Sequence, residues 1–270
     1  MITTCAGMPV QPLGLAAYPG QSPACVRAAF AAGINLFFFY GTSHLKAFAE
    51  LPALLDEAAS QVVVATGSGA RSTAGLERSR RSVTKQLGID VVDLFFAEYI
   101  SSSDDDDRIF GPDGVLDALR QWRDDGRIRY VGASTHDARC GRALVEDGRV
   151  DVLMLRYNMA HRRVGRIVFP LAARSDIAIV AFTATRWGTL LAGHPEWIGP
   201  VPCAAECYRF CLAEPAVSVV LTAPASTSQL RANLTTLDDE DISPELAAQW
   251  DAYGDLVHDR GRGHFDTQWP

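Results

Sequence analysis

Ionisable side chains follow several short apolar runs of this chain, where they could do acid–base chemistry. Glu98 ends the run VDLFFAE, His136 follows GRIRYVGAST, and Arg156 stands in VDVLMLRYN. A carboxyl or imidazole group can transfer protons at a reacting centre, whereas a guanidinium group can hold an anionic substituent. The structural alternatives are rim salt bridges for Glu98 and Arg156 and a helix cap for His136.

Further polar and aromatic residues near strand ends enlarge the candidate site. Side chains alternate along a strand, so Arg156 and Asn158 share one face. Tyr40, which follows the triplet Phe37–Phe39, is a candidate catalytic acid or a rim aromatic residue. Four residues are candidates for substrate binding beside Arg156: Tyr99, Asn158, Arg186 and Trp187.

The elements that must position these residues read as alternating strands and helices. Eight strands are predicted, near residues 13–16, 34–39, 62–66, 93–97, 130–133, 152–156, 178–183 and 218–222. Helices are predicted at 23–32, 76–87, 114–124, 140–146, 166–173, 204–213 and 227–234, and a last one starts at Ser243-Pro244. Eight strands without an early glycine-rich phosphate fingerprint favour a single (β/α)8 TIM barrel over an open doubly wound sheet. Active sites of such barrels lie at the C-terminal ends of the strands.

The composition indicates one domain that spans residues 1–270. The chain is 48% hydrophobic and 21% charged, and 25 basic against 32 acidic residues give a net charge of −7. The absence of a Lys/Arg cluster argues against nucleic acid as a partner, and the apolar runs are too short to span a membrane. No export signal is evident, and the six irregularly spaced cysteines do not make a disulfide framework. We therefore expect a cytoplasmic protein that acts on a small molecule.

Three sets of Cys, Asp or His residues contain the residue types that bind metals, but their spacing is not that of a metal site. Cys203, Cys207 and Cys211 repeat every four residues on one predicted helix, and thiolates on successive turns do not easily close a tetrahedron. They are better explained as small buried apolar residues. The run Asp104–Asp107 is typical of a solvated loop. The third group lies in the C-terminal tail: His258, His264 and Asp266. No metal is predicted.

Seven segments, in order and at plausible spacing, resemble successive strands of the aldo-keto reductase family. They are GINLF, VVVAT, VDLFFAE, GRIRYVGAST, VDVLMLRYN, AIVAFT and PAVSVVL, the last followed by QLRANL on a predicted helix. The resemblance covers most of the chain. It implies a (β/α)8 barrel whose relatives reduce carbonyl groups by hydride transfer from a nicotinamide cofactor.

The resemblance puts the family's catalytic tetrad of Asp, Tyr, Lys and His on residues that mostly cannot do its chemistry. The Asp becomes Phe38, the Lys becomes Gly67 and the His becomes Glu98. The Tyr falls on Ser43 without a gap, and on Tyr40 after a three-residue deletion. Without the Lys, nothing local would lower the pKa of a Tyr from its ordinary value near 10. One branch of the family, which reduces steroid carbon–carbon double bonds, also carries Glu for His but keeps the other three residues.

The family's cofactor positions are also only partly kept. Ser134 matches a Ser that holds the nicotinamide carboxamide group, Phe182 replaces a Tyr on which the nicotinamide stacks, and Asn233 is retained on the helix after the eighth strand. The basic residues that would pair with a 2′-phosphate become Ala223 and Gln229. The expected cofactor is therefore none, or weakly bound NAD(P)H.

Three classes of function remain open from the sequence. The first is acid–base chemistry (dehydration, cyclisation or isomerisation) on a small molecule, including anionic ones, with Glu98 as acid or base and Arg156 as anion ligand. The second is NAD(P)H-dependent reduction with Tyr40 as the acid. The third is a non-catalytic relative that binds a ligand or a partner.

Overall fold

The computed structural model describes residues 1–238 and 242–258. Eight parallel strands pair with their neighbours in chain order and close into a barrel. The strands are β1 Leu13–Ala16, β2 Leu36–Phe39, β3 Val63–Ser68, β4 Val92–Ala97, β5 Ile128–Thr135, β6 Val152–Arg156, β7 Ala178–Phe182 and β8 Val217–Thr222. The predicted (β/α)8 barrel is confirmed, and the open doubly wound sheet is excluded.

Helices surround the barrel between successive strands. They are α1 Ala24–Ala31, α2 Leu51–Ala58, α3 Thr73–Leu87, α4 Asp106–Phe110, α5 Val115–Asp124, α6 Ala138–Asp147, α7 Arg163–Ile167, α8 Phe169–Arg174, α9 Ala204–Leu212, α10 Thr227–Leu234 and α11 Pro244–His258. None of those in the described part of the chain is both long and apolar enough to cross a membrane.

Three local predictions were wrong. The sequence analysis missed α2, although its buried residues Leu51, Leu54, Leu55 and Ala58 repeat at helical spacing. The predicted helix at 166–173 is two helices, because Pro170, the second residue of α8, lacks the backbone N–H that would extend the preceding helix. The acidic run predicted as a loop enters α4, where the Asp105 side chain accepts a hydrogen bond from the backbone of Asp107 at 3.0 Å.

Alternation along the strands separates two apolar layers. One layer fills the space between the sheet and the helices and contains Phe37, Phe39 and Phe95. The other fills the barrel interior and contains Phe38, Phe96, Met154 and Phe182. The strand residue two positions beyond an interior residue also faces inward. The interior layer therefore determines which side chains reach the C-terminal mouth of the barrel.

The opposite end of the barrel is closed by the segment that precedes β1. Ile2 packs into the interior layer, and the Thr3 backbone N–H donates to the Tyr130 hydroxyl at 3.1 Å. Arg129 donates to the Thr3 carbonyl at 3.0 Å and to Asp93 at 2.9 Å. This end is thus held shut by long-range contacts, so that the open end lies at the C-terminal ends of the strands.

Candidate active site at the barrel mouth

Four ionisable residues stand at the mouth on four different strands or the loops that follow them. Tyr40 lies two residues after the interior Phe38, Glu98 two after Phe96, and Arg156 two after Met154. Because strand side chains alternate, each of the three faces the barrel interior. His136 follows β5, and its imidazole is close enough to Arg156 for the guanidinium charge to lower the imidazole pKa.

The carboxyl group of Glu98 is buried in an apolar setting. Its side chain belongs to a residue only 6% exposed, and among the described residues its Oε1 atom has no hydrogen-bond partner. Burial raises the pKa of Glu98 to about 8, against the opposing charge of Arg71. At neutral pH the carboxyl group is therefore mainly protonated and can donate a proton.

Gly67 makes the room that Glu98 occupies. A Cβ atom at Gly67 would lie 2.8 Å from both Cγ and Oε1 of Glu98, and 2.5 Å from the carbonyl oxygen of Phe96. Position 67 is where the resemblance puts the family's Lys. The Glu98 carboxyl group and a side chain at position 67 therefore compete for the same space.

Aromatic rings form a continuous row across the mouth. The Tyr99 ring stacks on Tyr40 at 5.7 Å between centroids and on His136 at 6.0 Å. Phe38 meets Tyr40 edge-on at 4.7 Å, and Phe182 meets His136 edge-on at 5.0 Å. This row gives the mouth a largely aromatic surface beside the polar groups of Glu98 and Arg156.

Tyr40, and not Ser43, stands at the mouth. Ser43 is exposed and its hydroxyl group lies 3.1 Å from Nδ1 of His44. Burial, together with a hydrogen bond to Tyr99, raises the pKa of Tyr40 well above its ordinary value. Tyr40 is therefore a poor proton donor at neutral pH compared with Glu98.

His136 is held as a neutral imidazole. Burial lowers the pKa of His136 to about 4, and the charge of Arg156 adds to the effect. The alternative of a helix cap does not apply, because Asp137 caps α6 by accepting from the backbone N–H of Arg139 at 2.7 Å. At neutral pH the imidazole of His136 is thus unprotonated.

Two of the predicted substrate-binding residues, Asn158 and Arg186, hold loops together. The Asn158 amide is fully buried, donates to the Thr183 carbonyl at 2.8 Å and accepts from the backbone of Ala160 at 3.0 Å. Asn158 therefore has its polar atoms turned to the backbone rather than to a substrate. Arg186 is 5% exposed and donates to the carbonyl of Val257 in α11, and Trp187 beside it is 40% exposed.

The residues at the family's cofactor positions make bonds within the protein. The Asn233 amide is buried and donates to the Thr222 hydroxyl at 2.9 Å. The Gln229 side chain accepts from the Ala225 backbone at 2.6 Å, at the start of α10 where a 2′-phosphate would need a basic partner. Ser134 accepts from the Tyr99 backbone N–H at 2.9 Å. All three side chains are thus used in bonds within the protein.

No cluster of three or more potential metal ligands occurs among residues 1–238 and 242–258. Cys207 and Cys211 are buried and Cys203 is exposed, and burial raises the pKa of Cys207 to about 12. A thiol that stays protonated is a poor metal ligand. His264 and Asp266 of the predicted tail group lie outside the described residues.

The sequence analysis missed Arg71, which binds the loop that carries Glu98 and Tyr99. A single Arg shortly after a strand, in the stretch GSGARS, gives no local signal of such a role. Its partners lie 27 and 28 residues further along the chain. The parallel pairing of β3 with β4 brings them together.

Comparison with known proteins identifies relatives of one kind. The model of the aldo/keto reductase family matches residues 18–195. A curated relative, the NADH-specific methylglyoxal reductase of Escherichia coli (strain K12), is 26% identical over 107 residues, which cover 39% of this chain and only 32% of that protein.

Solved structures share the fold over nearly the whole chain. The holo form of an aldo-keto reductase of Bacillus halodurans has a TM-score of 0.74 at 18% identity and covers 90% of this chain and 92% of its own. An aldo/keto reductase of Klebsiella pneumoniae, in complex with NADP and acetate, has a TM-score of 0.74 at 17% identity and covers 93% and 94%. At such identity the likeness concerns the fold.

Proposed function

The chain belongs to the aldo/keto reductase family, and from that premise we propose that it does acid–base chemistry on a small carbonyl compound at the barrel mouth. The reaction class is dehydration, cyclisation or isomerisation. The observation that carries the proposal is the buried Glu98 carboxyl group, which occupies the space next to Gly67 and whose pKa burial raises to about 8. A protonated carboxyl group in an apolar site is a strong hydrogen-bond donor to a carbonyl oxygen.

Glu98 and His136 supply the two halves of a proton transfer. Their environments shift the two pKa values in opposite directions, so that at neutral pH Glu98 holds a proton and His136 lacks one. His136 would take a proton from the carbon next to the carbonyl group while Glu98 gives one to the carbonyl oxygen, which yields an enol. Return of a proton to carbon at the same or another position completes an exchange or an isomerisation. No oxidant or reductant is needed.

The position of Arg156 indicates that the proposed substrate carries an anionic group. Its guanidinium lies at the end of β6 near His136, on the interior face. A carboxylate or phosphate bound there would be held by charge-assisted hydrogen bonds. The row of aromatic rings from Phe38 to Phe182 would cover the apolar part of the molecule.

Hydrogen–deuterium exchange tests the proposal without a nucleotide. Small keto and enone carboxylic acids are incubated with the protein in D2O, and exchange next to the carbonyl group is followed by proton NMR. We expect exchange in the wild type and a loss of about a hundredfold or more in Glu98→Gln, because general acid–base catalysis contributes about 10²–10⁴. Glu146→Gln, a change of an exposed Glu on α6, is the matched control. Activity that appears only with NADPH would contradict the proposal.

A second function, NAD(P)H-dependent reduction, is supported by the family and by two positions. Ser134 and Phe182 stand at the ends of β5 and β7, where the resemblance implies nicotinamide contacts. A nicotinamide cofactor would supply hydride. The chain's own residues would contribute the surface of Phe182 and a proton. Glu98 would replace the predicted Tyr40 as the acid, because burial raises the pKa of Tyr40 well above its ordinary value.

Calorimetric titration of the two nucleotides separates the second function from the first. We expect weak binding and little preference for NADPH over NADH, because Ala223 and Gln229 offer no charge to the 2′-phosphate. One lost charged contact is worth about 1.5–3 kcal/mol, or roughly ten- to more than hundredfold in affinity. Sub-micromolar binding of NADPH with much weaker binding of NADH would favour the reductase.

A further inference from the structure

Arg71 reaches from the segment between β3 and α3 to the loop that follows β4. Its Nη1 atom donates to the carbonyl oxygen of Glu98 at 3.0 Å, and its Nη2 atom donates to the carbonyl oxygen of Tyr99 at 2.9 Å. One guanidinium group therefore binds two consecutive carbonyl groups, those of the acid and of the central ring of the aromatic row.

Asp104 holds the same guanidinium group from the other side. Nε and Nη2 of Arg71 donate to the two carboxylate oxygens of Asp104 at 2.7 and 3.0 Å, and both side chains are less than a fifth exposed. Asp104 also accepts from the backbone N–H of Ser101 at 2.8 Å. The paired, two-bond geometry fixes the orientation of the Arg71 group and not only its charge.

The loop needs such a brace because its backbone is strained. Tyr99 has a φ of 55°, in the left-handed region that bulky side chains rarely adopt. A residue held there costs on the order of 1–3 kcal/mol and is kept only by surrounding contacts. Besides the bond to Arg71, the Tyr99 N–H donates to the Ser134 hydroxyl and the Ile100 N–H donates to the Ser134 carbonyl, at 2.9 and 2.8 Å.

We propose that Arg71, oriented by Asp104, is a positioning residue for the candidate acid: it holds the Glu98–Tyr99 backbone in the conformation that turns the Glu98 carboxyl group into the barrel mouth. The inference rests on the proposed function, since it assigns the acid role to Glu98. Arg71 itself contacts only backbone carbonyls and Asp104 in this set of bonds, so its role is exerted through the loop.

The same geometry makes Arg71 the cation that tunes Glu98. Among the described residues, the hydroxyls of Tyr40 and Tyr99 also interact with the Glu98 charge, and their raised pKa values keep both neutral at physiological pH. Arg71 opposes the rise in the pKa of Glu98 that burial causes. Its removal should therefore leave the carboxyl group protonated to higher pH.

The experiment measures the protonation of Glu98 directly. Glu98 is titrated in the full-length protein by infrared spectroscopy of the protonated carboxyl C=O band, which is assigned by its loss in Glu98→Gln. We expect Arg71→Met to raise the titration midpoint by about one pH unit or more, as removal of a nearby opposite charge does. Arg108→Met, which removes an exposed Arg with a weak ion pair on the neighbouring α4, should leave the midpoint unchanged.

A second variant separates charge from geometry. Arg71→Lys keeps the cation but cannot reproduce the forked bonds to two carbonyls and Asp104. We expect a midpoint close to that of the wild type and a deuterium-exchange kcat at least tenfold lower with an unchanged KM. An unchanged midpoint in a folded Arg71→Met protein overturns the inference, as does full exchange activity in Arg71→Lys. Failure of the proposed function shows differently, as exchange that persists in Glu98→Gln.

Discussion

At the scale of single residues, Glu98 and Gly67 form one arrangement. The carboxyl group stands where any side chain on Gly67 would stand, and the β4 backbone at Phe96 closes the space from another side. A substitution of Gly67 alone therefore displaces the Glu98 carboxyl group. The site is thus defined as much by a missing side chain as by the acid itself.

Gly67→Ala should destabilise the protein by about 1–3 kcal/mol, the usual effect of overpacking. The new methyl group would lie within 2.8 Å of Glu98 and 2.5 Å of the Phe96 carbonyl, so strand or carboxyl group must move. Gly69→Ala is the control, since a Cβ there meets no atom within 4 Å. Urea unfolding of both variants measures the difference. Equal stability of the two would show that the space next to Gly67 is open.

Glu98 should also make stability depend on pH. Its pKa is raised from 4.5 to about 8 on folding, so its contribution is fully present below about pH 4.5 and is lost as the pH rises to about 8. Between these limits the free energy of unfolding of the wild type should fall relative to Glu98→Gln by about 1.4 kcal/mol per pH unit at most. Urea titrations of both proteins at several pH values check this. Parallel curves would mean that Glu98 ionises freely in the fold.

The two shifted pKa values also predict the pH dependence of catalysis. Glu98 must be protonated to act as the acid, so activity should fall as the pH rises through about 8. His136 must be neutral to act as the base, so activity should fall as the pH drops through about 4. A kcat/KM profile with a plateau between these values is expected. Activity that rises above pH 8 would instead assign Glu98 the role of base.

At the scale of elements, the loops after β6 and β7 are joined to each other and to α11. Asn158 ties the two loops through the Thr183 carbonyl, and Arg186 ties the second loop to Val257 at the end of α11. Tyr253 of α11 donates its hydroxyl to the Leu190 carbonyl at 2.8 Å. These contacts explain why polar residues at strand ends are buried here without forming part of the proton-transfer machinery.

Gly254→Ala should separate α11 from these loops. Replacing Gly by Ala inside a helix normally stabilises it by about 0.5–1 kcal/mol. Here a Cβ atom would collide with the Met159 carbonyl oxygen and crowd Arg162, so the sign should reverse and the melting temperature should fall. Ala248→Ser, on the exposed face of the same helix, should change the melting temperature little. A gain in stability for Gly254→Ala would refute the close docking of α11.

At the scale of the whole molecule, the chain keeps the family barrel, and the acid–base site that we propose lies at its mouth. The matched fold extends over nearly all of the chain at 17–18% identity to solved structures. The barrel interior, built from alternate strand residues, accepts many combinations of apolar side chains as long as volume and pattern are kept. The chemistry depends on a few side chains at strand ends and is free to change on the same scaffold.

The wild-type protein should not reduce ordinary aldehydes and ketones with NADPH. A panel of aldehydes and ketones assayed with NADPH should show turnover far below about 1 per second, the lower end for working enzymes. Gly67→Lys should not restore it, because the new side chain would meet Glu98 and because Phe38 replaces the Asp. Turnover of about 1 per second or more in the wild type would show instead that the protein is a carbonyl reductase.

The sequence by itself predicted the barrel and the approximate position of its eight strands. The spacing of apolar runs is a local property, and it placed Glu98 and Arg156 near strand ends. The choice between Tyr40 and Ser43 was left open by the sequence. The helix at Leu51–Ala58 could have been found by the same reasoning and was missed. The break at Pro170 was likewise readable from the residue type.

Only the tertiary structure decided how each polar group at the mouth is used. Asn158 and Thr183 are 25 residues apart, and Arg186 and Val257 are 71 apart, so no local pattern could show that they bond. Protonation of Glu98 depends on burial by several strands and on the charge of Arg71. Burial and pairing are sums over neighbours that the chain brings together only when the barrel closes, whereas periodicity is fixed by each segment alone.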